Sequence, residues 1–135
     1  FWDILKSIQQ QGITVVVSTP YMDEATRCDR IALIQDARII EIDTPDNIIQ
    51  HFQGKLYTFK SASIFSLLNI LEQCPLKCNY YPYGEYCHIA FYEDMDTAMP
   101  QFEQFLQEQN QKHGEITPIQ PSVEDCFIEI VKMRK

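Results

Sequence analysis

A run of β-branched residues, Ile13-Thr14-Val15-Val16-Val17, constrains this 135-residue chain more than any other stretch. Branching at Cβ suits a pleated surface, and apolar side chains on both parities predict a strand buried on both faces, as in a parallel sheet. Ahead of it, Phe1, Ile4, Leu5 and Ile8 fall at helical spacing. That spacing predicts a helix over 1–11 with one buried face and Gly12 as its left-handed stop. Behind the strand, Ser18-Thr19-Pro20 predicts a switch into a second helix. Thr19 would cap it and Pro20 would take the first helical position, where no N–H is needed. Asp23 and Glu24 suit the first turn of that helix dipole. A helix sets these neighbours about 100° apart, so they read as a solvated face, not a catalytic pair. Cys28-Asp29-Arg30 ends the helix, and strands over 31–34 and 38–42 follow around Gln35-Asp36-Ala37. Tight hairpins favour glycine where Ala37 stands; a left-handed alanine there would cost roughly 1 kcal/mol. Thr44-Pro45 repeats the cap-plus-proline pair and opens a helix to about Phe52.

A second module is expected after Gln53-Gly54-Lys55. Tyr57 and Phe59 alternate in a strand over 56–60, and Ser63 can cap a helix whose Ile64, Leu67, Leu68 and Leu71 form one stripe. Strands over 77–81 and 85–92 flank the turn signal Pro82-Tyr83-Gly84. A helix over 97–111 carries Ala98, Phe102, Phe105 and Leu106, with Pro100 tolerable only in its first turn. A strand over 115–119 and a last helix capped at Ser122, with Val123, Phe127, Ile130 and Val131 inward, complete the chain. The order βαββαβ plus a helix predicts a ferredoxin-like α+β sandwich.

At this point the residues carry a resemblance. Ser18-Thr19-Pro20-Tyr21-Met22-Asp23-Glu24-Ala25, Cys28-Asp29-Arg30-Ile31, Arg38-Ile39 and Thr44-Pro45 resemble the switch-loop end of an ABC transporter ATP-binding subunit, ABC-2-type exporters above all. The family run is S-T-H-x-x-x-E-A, followed by a D-R-I strand and a G-R-I hairpin. Pro121-Ser122-Val123-Glu124-Asp125-Cys126-Phe127-Ile128 is similar to that family's P-S-L-E-D-V-F tail. The resemblance implies that 1–53 is an α/β remnant of a nucleotide-binding domain: helix, buried strand, switch loop, hairpin, helix. Residues 55–135 would then be the ferredoxin-like accessory domain. It further implies a parent that uses ATP and Mg, pairs with a second ATP-binding subunit and sits on transmembrane permease subunits at the cytoplasmic face of the cell membrane.

Ser18, Thr19 and Pro20 correspond to the nucleotide-proximal switch loop, with one departure. The family's histidine, which contacts the γ-phosphate and holds the attacking water, is replaced by Pro20, whose side chain can neither donate nor accept. The chain also contains no G-x-x-x-x-G-K-[ST] loop, no apolar strand ending in Asp-Glu and no signature serine-glycine motif. In the family these lie upstream. The resemblance therefore implies an internal start at Phe1, and a C-terminal fragment that holds no catalytic residue or metal and does not bind or hydrolyse ATP. Without neighbouring strands, residues 1–18 are expected to self-associate with a second copy.

The alternative reading is a regulatory or dimerising ligand-binding module, by analogy with other ferredoxin-like domains. An independent enzyme has no Ser-His-Asp order or glycine-rich loop to support it. The net charge of −8 argues against nucleic acid, since phosphate neutralisation needs clustered bases. Five cysteines, Cys28, Cys74, Cys78, Cys87 and Cys126, do not pair off as a secreted disulfide framework. Cys74 and Cys78 with Cys87-His88 raise a zinc site, against which buried or structural thiols in a reducing compartment are the plainer reading. Tyr80, Tyr81, Tyr83, Tyr86 and Tyr92 could pair across strands or meet a partner surface.

Overall fold

The computed structural model describes residues 1–133. Helix α1 (Trp2–Gln10) leads through an extended segment to the single-turn helix α2 (Met22–Ala25). Strands β1 (Ile31–Gln35) and β2 (Arg38–Asp43) form an antiparallel hairpin, and α3 (Pro45–Gln50) closes the N-terminal part. The second part runs β3 (Lys55–Lys60), α4 (Ile64–Leu71), β4 (Cys78–Tyr83), β5 (Tyr86–Phe91), α5 (Met95–Glu108), β6 (Thr117–Pro118) and α6 (Val123–Met133). Its four strands make one sheet in the order β4-β5-β3-β6, with every neighbouring pair antiparallel. The molecule is a mixed α/β protein with two antiparallel sheets.

The capping chemistry explains where most helices start. Thr44 accepts a hydrogen bond from the Asn47 N–H with Pro45 at the first position, and Ser63 does the same for the Ser66 N–H. Helices α4 and α5 lay Leu67, Leu71, Phe102 and Leu106 over Phe59, Ile89 and Phe91 on one face of the four-stranded sheet. Pro100 lies beyond the first turn of α5, contrary to expectation, and its ring is exposed. A proline there leaves the Asp96 carbonyl without its helical donor. Pro82 stands within β4, which is an edge strand and so can spare an N–H.

The largest correction concerns residues 13–17, which form no strand and are not buried. Ile13 is 52% and Val16 is 89% exposed. Propensity alone cannot make a strand; its N–H and C=O groups need a ladder, and among the described residues no other segment supplies one. Helix α1 is likewise amphipathic but uncovered, with Ile4 exposed. Polar contacts tether it: Lys6 pairs with Asp29 at 3.5 Å, Gln9 Nε2 donates to Asp29, and Arg27 lies over the Trp2 ring.

The β1–β2 turn keeps the left-handed conformation at Ala37. Asp36 and Ala37 both have positive φ, 52° and 60°, as a two-residue primed turn demands. Ala37→Gly is expected to stabilise the protein by about 0.5–1 kcal/mol, because glycine reaches this region without the Cβ clash. The check is the urea midpoint at constant m-value; a midpoint that stays put or falls would show the turn to be unstrained.

Candidate functional site

The two stretches that resemble the transporter family meet through α6. Ser122 caps this helix: its Oγ accepts from the Asp125 N–H at 3.2 Å, while Asp125 Oδ2 reaches back to the Ser122 N–H at 2.8 Å. This is a capping box with aspartate in the reciprocal place. One face of α6 is apolar. Val123 and Cys126 are buried with Ile31, Leu33 and Ile48, and Met22, Ala25, Phe127 and Ile130 pack around them. Of the expected inward set, Val123, Phe127, Ile130 and Val131, the first three pack against residues of the N-terminal part. Helix α2, directly after Ser18-Thr19-Pro20-Tyr21, therefore rests on α6.

The opposite face of α6 is polar and buried against the second face of the sheet. Asp125, 1% exposed, accepts at Oδ1 from Tyr81 Oη (2.6 Å) and His88 Nδ1 (2.7 Å). Because a carboxylate can only accept, His88 must carry its proton on Nδ1. Ser122 Oγ donates to Oδ2 at 2.9 Å. Burial raises the Asp125 pKa, but the hydrogen bonds from His88, the Ser122 N–H and Tyr81, with the attraction of His88, outweigh it and hold the carboxyl below its ordinary value. The Tyr83 ring stacks on His88 at 4.0 Å and 4°, and its hydroxyl meets Ser122 Oγ.

One turn later Glu129 repeats the device. Its Oε1 accepts from the Gln53 N–H (2.8 Å), and Oε2 accepts from the Gly54 N–H (3.1 Å) and Tyr92 Oη (2.7 Å). The C-terminal helix thus clamps the backbone that joins α3 to β3. Gly54 is required there for space: a Cβ would stand 2.8 Å from Ala90 Cβ and 3.2 Å from the Tyr92 ring.

Ser, His and Asp come together here without forming a nucleophilic triad. The Ser122 hydroxyl bonds Asp125 and Tyr83 and not the His88 imidazole, and His88 and Asp125 are buried. The arrangement fastens a helix. The tyrosines divide by strand parity: Tyr81 and Tyr83 face α6 and Tyr92 bonds Glu129, whereas Tyr80 packs toward α4 and α5. Sequence reasoning singled out the tyrosines, Asp125 in the tail motif and His88 beside Cys87, but not their joint role, and it missed Glu129, since the partners lie 37 to 44 residues apart.

Ser18, Thr19 and Pro20 are arranged differently from expectation. Thr19 does not cap α2. Its Oγ1 accepts from the Tyr21 N–H at 3.0 Å, Tyr21 occupies the N-cap, and Pro20 lies outside the helix with its ring exposed. Ser18 is exposed and Thr19 half-buried. These residues by themselves build no phosphate cradle, since they bring no lysine, no glycine turn and one engaged hydroxyl. Cys87 and His88 point to opposite faces of β5, and among the described residues no three His, Cys, Asp or Glu side chains converge on a metal position. A groove of about 370 Å³ beside the linker is lined by Phe52, Tyr57, Pro118 and Pro121, with Lys55 as its charged member. Ser18, Thr19 and Pro20 do not line it. Among the described residues no helix is long and apolar enough to cross a membrane.

No family model matches the chain. Curated proteins do match part of it. "Probable multidrug ABC transporter ATP-binding protein YbhF" of Escherichia coli is 44% identical over 48 residues, 36% of this chain and 8% of that protein. ABC transporter G family member 20 of Dictyostelium discoideum is 30% identical over 54 residues, 40% of this chain and 7% of that protein. Nod factor export ATP-binding protein I of Burkholderia orbicola is 36% identical over 50 residues, 36% of this chain and 16% of that protein. The matched stretch is thus a small share of each relative's length. Over about a third of its residues, this chain is similar to ABC transporter ATP-binding proteins.

Proposed function

We propose that this chain is the C-terminal part of the ATP-binding subunit of an ABC exporter, in which α6 fastens the segment behind the switch loop to an accessory domain. The observation that carries this reading is the shared apolar cluster of α2 and α6, the two elements that bear the family-like sequences. The parent takes Mg-ATP, pairs with a second ATP-binding subunit and works on permease subunits at the cytoplasmic face of the membrane. Ser18, Thr19 and Pro20 stand near the nucleotide there. The accessory domain is ferredoxin-like, a reading supported by the order β6-β3-β5-β4 and by α4 and α5 on one face. This chain alone neither binds nor hydrolyses ATP.

The coding sequence upstream of Phe1 is expected to encode a G-x-x-x-x-G-K-[ST] loop; its absence would remove the proposal. In the polypeptide carrying that loop, Pro20→His is expected to raise ATP turnover about tenfold or more with little change in ATP affinity. A switch-loop group acts on the phosphoryl and its water, so its effect belongs to the rate. Altered affinity at unchanged turnover would take position 20 out of the reaction.

Isolated from the rest of that subunit, residues 1–18 are covered by a second copy. Phe1, Ile4, Ile13 and Val16 are exposed together with the unpaired backbone of residues 13–17, a template for another chain. Sedimentation is expected to give a dimer that Val16→Lys disperses; a clean monomer at tens of micromolar would sink this assignment.

A further inference from the structure

The groove beside the linker opens where β6 ends and the chain leaves the sheet for α6. Both of its walls are pinned. On one side Glu129 holds the Gln53 and Gly54 N–H groups. On the other, the Ile119 N–H donates to the Leu56 carbonyl at 3.1 Å, and the Ser122–Asp125 box anchors the residues that follow. The Tyr57 ring packs edge-to-face with Phe91, 5.9 Å between centroids. A site whose walls are already in place loses little freedom on taking up a ligand. Its volume of about 370 Å³ falls in the range of small-molecule sites.

The lining carries one sign of charge. The chain has 19 acidic residues against 11 basic ones, yet Lys55 lines the groove and no carboxylate does. Among the described residues Lys55 is in no ion pair, and the Tyr57 hydroxyl is in no hydrogen bond. The two stand at i and i+2 of β3, on one face of the sheet, with Pro118 opposite Tyr57 on β6. Phe52 and Pro121 add apolar surface around these donors. From this combination we propose that the groove binds a small aromatic carboxylate. Its carboxylate accepts from the Lys55 ammonium and the Tyr57 hydroxyl, and its ring lies among Phe52, Pro118 and Pro121. One cation matches the single charge of a carboxylate; a doubly charged phosphate would call for a second base, and none lines the groove. Proline and aromatic side chains offer flat surfaces that suit a planar ring, whose ordering costs less than that of a flexible chain. The bound acid touches both the linker and the residues ahead of α6, so it favours the state in which Glu129 holds the linker.

The test is titration of the full chain with 2-naphthoate, and with 2-naphthamide as its uncharged match, followed by amide NMR and hydrogen exchange. Saturable binding of naphthoate is expected, with a Kd of about 0.1–1 mM for a ligand of this size. Amide shifts should centre on Gly54, Lys55, Tyr57 and Gln120, and exchange at Gln53 and Gly54 should slow as the site fills. Lys55→Met keeps the apolar stem and removes the charge. It should weaken naphthoate roughly five- to tenfold and leave naphthamide unchanged, whereas Lys55→Arg retains naphthoate binding. Equal affinity of the original chain for the two probes would overturn the proposal. So would shifts centred on residues 1–18, a Lys55→Met chain that binds naphthoate as well as the original, or no saturable binding.

Discussion

Stopping the chain after Pro121 is expected to unfold residues at both ends of the molecule, not only those beside the cut. Helix α6 supplies Val123 and Cys126 to the cluster that covers Ile31, Leu33 and Ile48, and its other face holds the linker through Glu129. Each large apolar side chain returned to water costs about 1.5–3 kcal/mol, so losing the cluster amounts to roughly 5–10 kcal/mol. A domain's whole stability is of that order. Hairpin β1–β2 buries its inner face through this cluster and has no second sheet behind it. Hydrogen exchange at Leu33 and Ile48 is the direct measurement. Their amides should be protected in the full chain and exchange freely in the shortened one; retained protection would mean that the N-terminal part holds its own core.

Asp125→Ala is expected to cost about 3–5 kcal/mol, more than its removed volume accounts for. The substitution strands Tyr81 Oη, His88 Nδ1 and the Ser122 N–H in a buried place, and orphaned donors around a deleted charge make such changes expensive. Asp125→Asn keeps the shape but offers one carbonyl oxygen where two charged oxygens accepted, and should fall in between. The pH dependence has a definite sign. A carboxyl held below its unfolded value binds fewer protons in the folded state. Its stabilisation is complete above the unfolded value, near 4, and drains away as pH falls through the folded value. The gap between the original chain and Asp125→Ala should therefore be constant above about pH 5 and narrow below about pH 4. A gap that widened on acidification would show that the carboxylate is not the favoured form.

Local sequence made some of this visible and concealed the rest for identifiable reasons. The stripe on α4 and the Ser63 cap are set by neighbours within a few residues and form as their patterns imply, whereas the Pro82-Tyr83-Gly84 signal gives a hairpin whose turn is Gly84-Glu85, with Pro82 and Tyr83 inside β4. Thr19-Pro20 and Thr44-Pro45 show the limit. The same dipeptide caps a helix at Thr44, where Ile48 falls into a core one turn later, but forms only a local turn at Thr19. There, the first residues to meet a core are Met22 and Ala25. Residues 13–17 fail differently, since their pattern describes a layer that this chain does not contain. The clasp at Asp125 and Glu129 leaves no periodic trace, because α6 reads as one amphipathic helix whether its polar side meets water or tyrosine hydroxyls. Burial of two carboxylates in a helix is legible only once the opposing sheet is in place.

The position of α6, far along the chain from the hairpin it covers, also sets when the molecule can be completed. Ile31, Leu33 and Ile48 leave the ribosome well before Val123, which follows Ile48 by roughly 75 residues; at about 5–20 residues per second this is a wait of roughly 4–15 s. During that interval the hairpin has no lid, and its apolar inner face is open to chaperones or to neighbouring nascent chains. The four-stranded sheet can close earlier, at β6, so the order of maturation runs against the order of synthesis. Chains stalled on the ribosome with residue 121 just emerged should be readily cleaved by protease near Leu33, and chains released at full length should resist.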